Sequence, residues 1–472
     1  MLFGFLFFLL GLTCLVGFFA VRESRKSEED YFLASQTISP YSLAFSSSAS
    51  KYSGFIFAGF MGAAYLNGTM VIWLGLGLLL GHFLVYALTV YRLQYMNSGG
   101  WALSIGELLT FWNGENRVLL RRFIGLLTLF FLSFYAAAQL KAGGLALEVA
   151  LGQPLYVGIV LSTAIILFYC WAGGIRASIW TDSAQIIMMT LSLLLILVMA
   201  VVKEGGVANL VASFHATAPG TDLIPQNLSI GGYTGWMLFC FGSLGFGLCV
   251  LGQPHILIRA MALKNVQDTK KFIIANYTFE ALFIILFTLV GLSTRVILQD
   301  MSAFEPELAL FLSAKEMLPP LAVGFVLAGA FSSTLSTADS QILSCSASLM
   351  RDLPEPPKQS LFQAKVGTVS VAFAATLLAL FAEQNIFSLV AFAYAGLGAS
   401  IGSVLVLRLL NDSISEWGAF LVALVGGTTV IAWNMLGLNS YINESVPGFS
   451  AALLVYLGCK AVSKLQTAES VS

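Results

Sequence analysis

The stretch FSSTLSTADSQILSCSAS, Phe331 to Ser348, decides the fold. The apolar run LAVGFVLAGA precedes it and the continuation to Leu349 follows, so the whole is long enough to cross a bilayer as one helix. Within it Ser332, Ser336, Asp339, Ser340 and Ser344 recur at helical spacing, which puts several hydroxyls and one carboxylate on a shared face. Polar groups buried in lipid cost free energy unless something pairs with them. Such a face therefore looks onto a cavity, a partner helix or an ion. Hard cations take oxygen ligands, and this cluster supplies them. Helix–helix packing through small polar residues is the plainer alternative, and Asp339 tips the balance toward an ion.

The rest of the chain agrees with a membrane reading. Hydrophobic residues make up 58% of the 472 and charged residues 10%, with a mean hydropathy of +0.87, a balance foreign to a soluble protein of this length. The pattern predicts an all-α membrane protein of about thirteen transmembrane helices. Their ranges are 1–21, 40–63, 69–91, 123–150, 154–172, 179–202, 232–258, 272–297, 317–349, 364–382, 386–409, 416–437 and 446–463. The first lacks a basic leader and reads as a retained helix. With the N-terminus outside, eighteen of the 23 Lys and Arg fall in inner loops and only Lys203, Arg295 and Lys315 outside; Lys51 and Lys141 lie within spans. That bias predicts an N-out, C-in protein of the plasma or inner membrane. The outer connections, 203–231 and 298–316, have room for short helices but not for a soluble domain. All six cysteines fall in or beside spans, so free thiols are expected.

Four stretches, in order, carry a family resemblance: SSSASKYSGF (Ser46 to Phe55), GGIRASIWTDSAQ (Gly173 to Gln185), GQPHILIRAM (Gly252 to Met261) and STADSQILSCSASLMRDL (Ser336 to Leu353). The chain resembles the sodium/solute symporter family, in its proline and pantothenate symporter branch, over about residues 1–460. The resemblance implies the leucine-transporter architecture, with two five-helix inverted repeats and a midplane site where helices are unwound. The repeats would be 40–202 and 232–409 of a single domain spanning 1–472, with 1–21 as an extra N-terminal helix and 416–463 as two C-terminal helices. SSSASKYSG and FGSLGFGLCVLGQP, rich in small residues, Gly and Pro, are weak helix stretches at corresponding places in the two halves.

By the same resemblance the main sodium site uses the Ser336 and Thr337 hydroxyls, a carbonyl near Phe331 to Ser333, and the carbonyls of Ala49 and Tyr52. Some members add a second sodium, and the matching positions here are Asp182, Ser336, Asp339 and Ser340. Asp182 has a plainer reading as a helix-entry residue. Lys51 departs from the family, which usually carries Asp or Asn there. Three readings stay open. Lys51 snorkels or pairs elsewhere; it pairs with Asp339 or Asp182, its ammonium standing where sodium would sit and coupling transport to protons; or it disables coupling.

Family solute sites sit at the broken segments. The matching residues are Tyr52, Ser53 and Gly54, Tyr135 and Gln139, Phe246, Val250 and Pro254, and Tyr394. The proline branch has Trp and Tyr where this chain has Phe246 and Val250, which weakens proline and keeps an apolar wall. A free N–H at an unwound helix suits a carboxylate. Lys141 is expected either to neutralise an anion or to pair with Glu148, and His255 to be a structural partner at the inner end of its span.

No HExxH, GxSxG or Walker pattern occurs and no nucleophile–base set is visible, so an enzyme is not expected. The expectation is a secondary active transporter importing a small amino acid or carboxylate, with Na⁺ or H⁺ as coupling ion and no other cofactor. Its partners are the solute, the ion and the lipid bilayer, with no nucleic acid. A transporter-like sensor or scaffold, or an uncoupled facilitator, is the alternative.

Overall fold

The structure is a computed structural model that describes residues 11, 16, 19, 22–23, 27–112, 114–217, 224, 228–298, 305–355, 360–381 and 386–471. The expected first span, with Cys14, lies outside the described residues except at positions 11, 16 and 19, and so do Arg25, Lys26 and Lys358.

A short helix α1 (Glu28–Leu33), capped by the Ser27 hydroxyl, opens the described chain. The expected second span then appears in two pieces, α2 (Pro40–Lys51) and α3 (Phe55–Asn67). Helix α2 begins with Ser39 as cap and Pro40 as first residue, and it stops at Tyr52, which has a non-helical ψ of 68°. The serines of SSSASK favour hydrogen bonding to local backbone over continuing a helix, and the break follows them. Helix α4 is Met70–Met96, α5 Ile105–Thr110 and α6 Val118–Leu151. Between α5 and α6 the strands β1 (Phe111–Trp112) and β2 (Glu115–Asn116) pair as a minimal ribbon, the one exception to an all-helical expectation among the described residues.

Helix α7 runs Leu155–Lys203 and, at 49 residues, is about 73 Å long by helical rise, too long for one crossing. It is two spans joined at Gly174, whose φ of 56° and ψ of −142° bend the chain. A Cβ there would come within 2.4 Å of the Tyr31 carbonyl oxygen, so both the angle and the space call for glycine.

After α8 (Val207–Ala216), the seventh span is also broken: α9 (Gly232–Leu248), a tight turn at Cys249–Gly252, and α10 (Pro254–Met261). Then come α11 (Val266–Ile297), α12 (Ala309–Met317) and α13 (Pro320–Ala347), followed by α14 (Leu361–Phe381), α15 (Ile386–Leu409), α16 (Glu416–Met435) and α17 (Ser445–Val471). Among the described residues ten helices are long and apolar enough to span a membrane; the split pair α2/α3 adds a crossing that neither half makes alone. The described cysteines are free thiols, as expected.

Helix α13 packs chiefly on α7 and α6. Its serines, Asp339 and both threonines are buried apart from the partly exposed Ser344, so the polar stripe faces protein and not lipid. Two arginines expected in inner loops, Arg176 and Arg259, are instead buried ion-pair partners.

Candidate ion and solute site

The end of α2 meets the middle of α13 through oxygens alone. Ser336 Oγ donates to the Ala49 carbonyl or to that of Ser333, each at 3.1 Å. Thr337 Oγ1 lies 3.1 Å from the carbonyls of Ser50 and Ser333. These groups are buried, and rotating the two hydroxyls turns their lone pairs toward a common point. The arrangement offers an oxygen cradle of the kind a bare monovalent cation needs. It joins Ala49, Ser336 and Thr337 of the expected set, with Ser333 supplying the expected carbonyl. Tyr52 marks the helix break, and its side chain goes elsewhere: the ring stacks on Phe283 at 4.8 Å and the hydroxyl donates to the Glu280 carbonyl.

Lys51 points to the opposite side of α2. Its Nζ lies 2.9 Å from Glu280 Oε2 and 2.7 Å from Asn276 Oδ1, and 4.5 Å from the centre of the Tyr86 ring. The other Glu280 oxygen contacts His82 Nδ1, and His82 Nε2 is 3.2 Å from the Tyr394 hydroxyl. Of the three open readings, the geometry matches the first, pairing elsewhere, and not the pair with Asp339 or Asp182: the Ala49 and Ser50 carbonyls face α13, and the Lys51 side chain faces α11. Glu280, His82 and Asn276 were missed. A carboxylate in the apolar run TFEALFIILF was the available signal, because an unpaired charge cannot stay in such a segment.

Asp182 and Asp339 form a second cluster, around Arg259. Arg259 Nη2 lies 3.2 Å from Asp182 Oδ2 and from Ser178 Oγ, and also contacts Ser340 Oγ. Ser46 Oγ donates to Asp182 Oδ2 at 2.6 Å, while Tyr169 donates to Asp339 Oδ2 at 2.8 Å and Ser340 to Oδ1 at 2.9 Å. Asp182 is therefore more than a helix-entry residue. Two carboxyl groups share one guanidinium, and Asp182 Oδ1 has no partner among the described residues.

The solute candidates gather at the two helix breaks. The Gly54 N–H donates to Gln139 Oε1 at 2.8 Å, and the Tyr135 ring lies edge-on to Tyr394 at 6.2 Å. A Cβ on Gly54 would lie 2.6 Å from Ala142 Cβ, so glycine lets α6 approach this close. Phe246 packs on Tyr394 at 4.9 Å, Phe55 on Phe387 at 4.9 Å, and Phe55 reaches Phe246 at 5.8 Å. Val250 is buried in the turn, and Pro254 starts α10 facing Ile175 and Leu343. Above the aromatic layer opens a cavity of about 1040 Å³, with Phe246 and Phe387 in its wall and segments 228–230, 305–307 and 439–443 at its rim. Lys141 and Glu148 both line it, and Lys141 lies near Glu307. The opposite end is closed by Arg176 on Asp30 and by Arg351, 2.8 Å from Glu107 and 3.5 Å from Glu28.

An oxygen cradle between a broken helix and a polar-striped one, beside a second broken helix, is what ion-coupled solute carriers require. The sodium:solute symporter family pattern matches residues 31–426. The chain belongs to the sodium:solute symporter family. It is 30% identical over 450 residues to the high-affinity proline transporter PutP of Bacillus subtilis (strain 168), covering 93% of each chain. It is 28% identical over 468 residues to the sodium/proline symporter of Escherichia coli (strain K12), covering 95% of this chain and 90% of that one. A substrate-bound, outward-open Na⁺-coupled sialic acid symporter superposes with a TM-score of 0.80 at 20% identity, over 97% of both chains, which supports the leucine-transporter fold. The protein is a multi-pass cell-membrane symporter that couples a small organic solute to an ion, and not an enzyme.

Proposed function

We propose that this symporter imports a small amino or imino acid with Na⁺ as the driving ion, bound by the carbonyls of Ala49 and Tyr52 and the hydroxyls of Ser336 and Thr337. The observation that carries the sodium reading is the placement of Lys51: its ammonium pairs with Glu280 on the far side of α2 and is not directed at the Ser336 and Thr337 hydroxyls. The Asp182–Asp339–Arg259 cluster, with Ser340, offers oxygens to a second cation, Asp182 Oδ1 among them without a partner among the described residues. The relatives named as proline carriers favour an amino-acid-like solute, while Phe246 and Val250 shape a wall different from the aromatic pair expected for proline. The two repeats, 40–202 and 232–409, would carry the paired breaks. An N-out, C-in orientation places the open cavity outside, where a solute enters.

Uptake and counterflow of labelled amino acids into proteoliposomes, under a sodium gradient or a proton gradient imposed separately, test this. Sodium-driven accumulation is expected. Accumulation under the proton gradient alone overturns the sodium reading, and binding with neither uptake nor counterflow favours a sensor.

A further inference from the structure

Along α13 from the ion cradle, polar side chains recur at every fourth residue: Ser336, Ser340, Ser344, Ser348 and Asp352. Steps of four keep them on one face of the helix, and the last turn, Ser348–Asp352, is wound wider than an α-helix. By helical rise the run is about 24 Å long and ends at the closed end of the molecule. Ser344 and Ser348 line a narrow cavity of about 20 Å³, room for one water or one bare cation, with Phe32, Ile175 and Ile258 in its apolar wall. Ser104, the cap of α5, lines it too and donates to Asp352 Oδ1.

Asp352 is fully buried, and its Oδ2 has no partner among the described residues. The packing leaves space for this carboxyl group: a Cβ on Gly106 would fall 2.4 Å from Asp352 Oδ1, and one on Gly125 2.7 Å from Asp352 Cβ. Arg121 and Glu107 are the other charged groups nearby. A guanidinium beside the carboxyl keeps any cation there weakly held, as an ion that must leave requires. In this state α10 shuts the run, since Arg259 contacts Ser340 Oγ and Ile258 lines the cavity. Arg351, the chain neighbour of Asp352, ties the same end to Glu107 and Glu28.

Resting on the reading of the Ala49–Ser336–Thr337 cradle as the coupling-ion site, we propose that Asp352, with Ser104, Ser344 and Ser348, forms a weaker exit station through which Na⁺ leaves when this end opens. Each hydroxyl presents an oxygen one turn beyond the last, and the carboxyl group stands at the foot of the run. Hydroxyls alone would serve helix packing. A buried carboxyl oxygen with nothing to bond, at the end of that run and one side chain from a polar cavity, is what packing leaves unexplained.

The test uses the full chain in proteoliposomes. Initial uptake from a labelled amino-acid pool that includes L-proline is followed at fixed external sodium while internal sodium is raised. Internal sodium is expected to inhibit the wild type by refilling the station. In Asp352→Asn and in Ser344→Ala the internal sodium that gives half inhibition should rise about 3- to 10-fold. The sodium concentration for half the thermal shift, which reports the cradle, should stay within about twofold of wild type. An unchanged half-inhibiting concentration in either variant overturns the station and leaves Asp352 a structural neighbour of Arg121, while the sodium reading of the cradle stands. An equal change in the thermal-shift titration assigns the effect to the cradle and overturns the station as well. Wild-type uptake indifferent to sodium on both sides overturns the cradle reading and the station with it. If Asp352→Asn loses the thermal shift it has lost its fold, and Ser344→Ala, a change in the cavity wall alone, then decides.

Discussion

Replacing Lys51 by Met separates the two roles open to this lysine. The side chain keeps its length and loses its charge, leaving Glu280 as a carboxylate about 1% exposed, with His82 still beside it and Asn276 Oδ1 without its ammonium. Breaking a buried ion pair from one side costs about 3–5 kcal/mol. The deserted Asn276 oxygen adds roughly 1 kcal/mol. Glu280→Gln, which strands the ammonium, carries a similar cost. Lys51→Met/Glu280→Gln removes both charges and should return to within about 1–2 kcal/mol of wild type. Thermal unfolding of the four purified proteins in one detergent and at one sodium concentration closes the cycle. Sodium dependence of uptake supplies an independent readout, since a lysine matched on the α11 side should leave half-saturating sodium in the double variant within about twofold of wild type. Additive destabilisation in the double variant would refute the pairing. A tenfold strengthening of sodium on removing the charge would show that Lys51 opposes the ion, and the argument from its placement would fall.

Three further outcomes are expected. Ser336→Ala and Thr337→Val each remove an oxygen from the cradle and should weaken half-saturating sodium by about tenfold or more, at a stability cost near 1 kcal/mol, read from sodium titrations of uptake and from melting. Gly54→Ala drives a methyl to 2.6 Å from Ala142 Cβ and should cost about 1–3 kcal/mol and most of the transport. Adding Ala142→Gly should restore only part, because Thr334 Cγ2 still lies at 2.9 Å; full recovery or none would count against this packing account. Arg259→Met leaves Asp182 and Asp339 together without a guanidinium and should cost about 3–5 kcal/mol, much of it recovered by Asp182→Asn in the melting temperature.

Helical spans, their order and both broken segments were legible because lipid imposes a strong pattern on sequence, and because Ser, Gly and Pro weaken a helix wherever they cluster. The meeting of Ser336 with the Ala49 carbonyl followed from matching motifs, whereas Thr337 meets the carbonyl of Ser50 and not the expected one of Tyr52. What escaped was direction. Residues 49 to 51 occupy one helical turn, and their side chains diverge by about 100° per step. A reading along the chain could not say that Ala49 and Ser50 face α13 while Lys51 faces α11. Partners distant in sequence were lost for the same reason: Glu280 is 229 positions from Lys51, and Arg259 passed for a loop residue because basic side chains usually gather there. The orphaned Asp352 oxygen was invisible too, since satisfaction of a polar group belongs to the packed structure and not to its composition.

The buried charges around α2 bear on the role of Lys51. On the α11 side one ammonium meets one carboxylate, with Asn276 and His82 completing the contacts. On the α13 side two carboxyl groups share one guanidinium beside a cradle of neutral oxygens, so the oxygen ligands gather on the face away from Lys51. A lysine that repelled sodium would show the reverse. Lys51 instead anchors the end of α2 to α11, and Glu280 carries the contact through His82 to the hydroxyl of Tyr394, a residue of the aromatic wall around the solute region. Ser50, its neighbour in the chain, gives its carbonyl to Thr337 on the ion side. The same two-residue segment is thus tied to the ion cradle by its backbone and to the solute wall by its side chain. We therefore propose Lys51 as a strut between the two sites and not a surrogate ion, the role that the Lys51→Met/Glu280→Gln cycle tests.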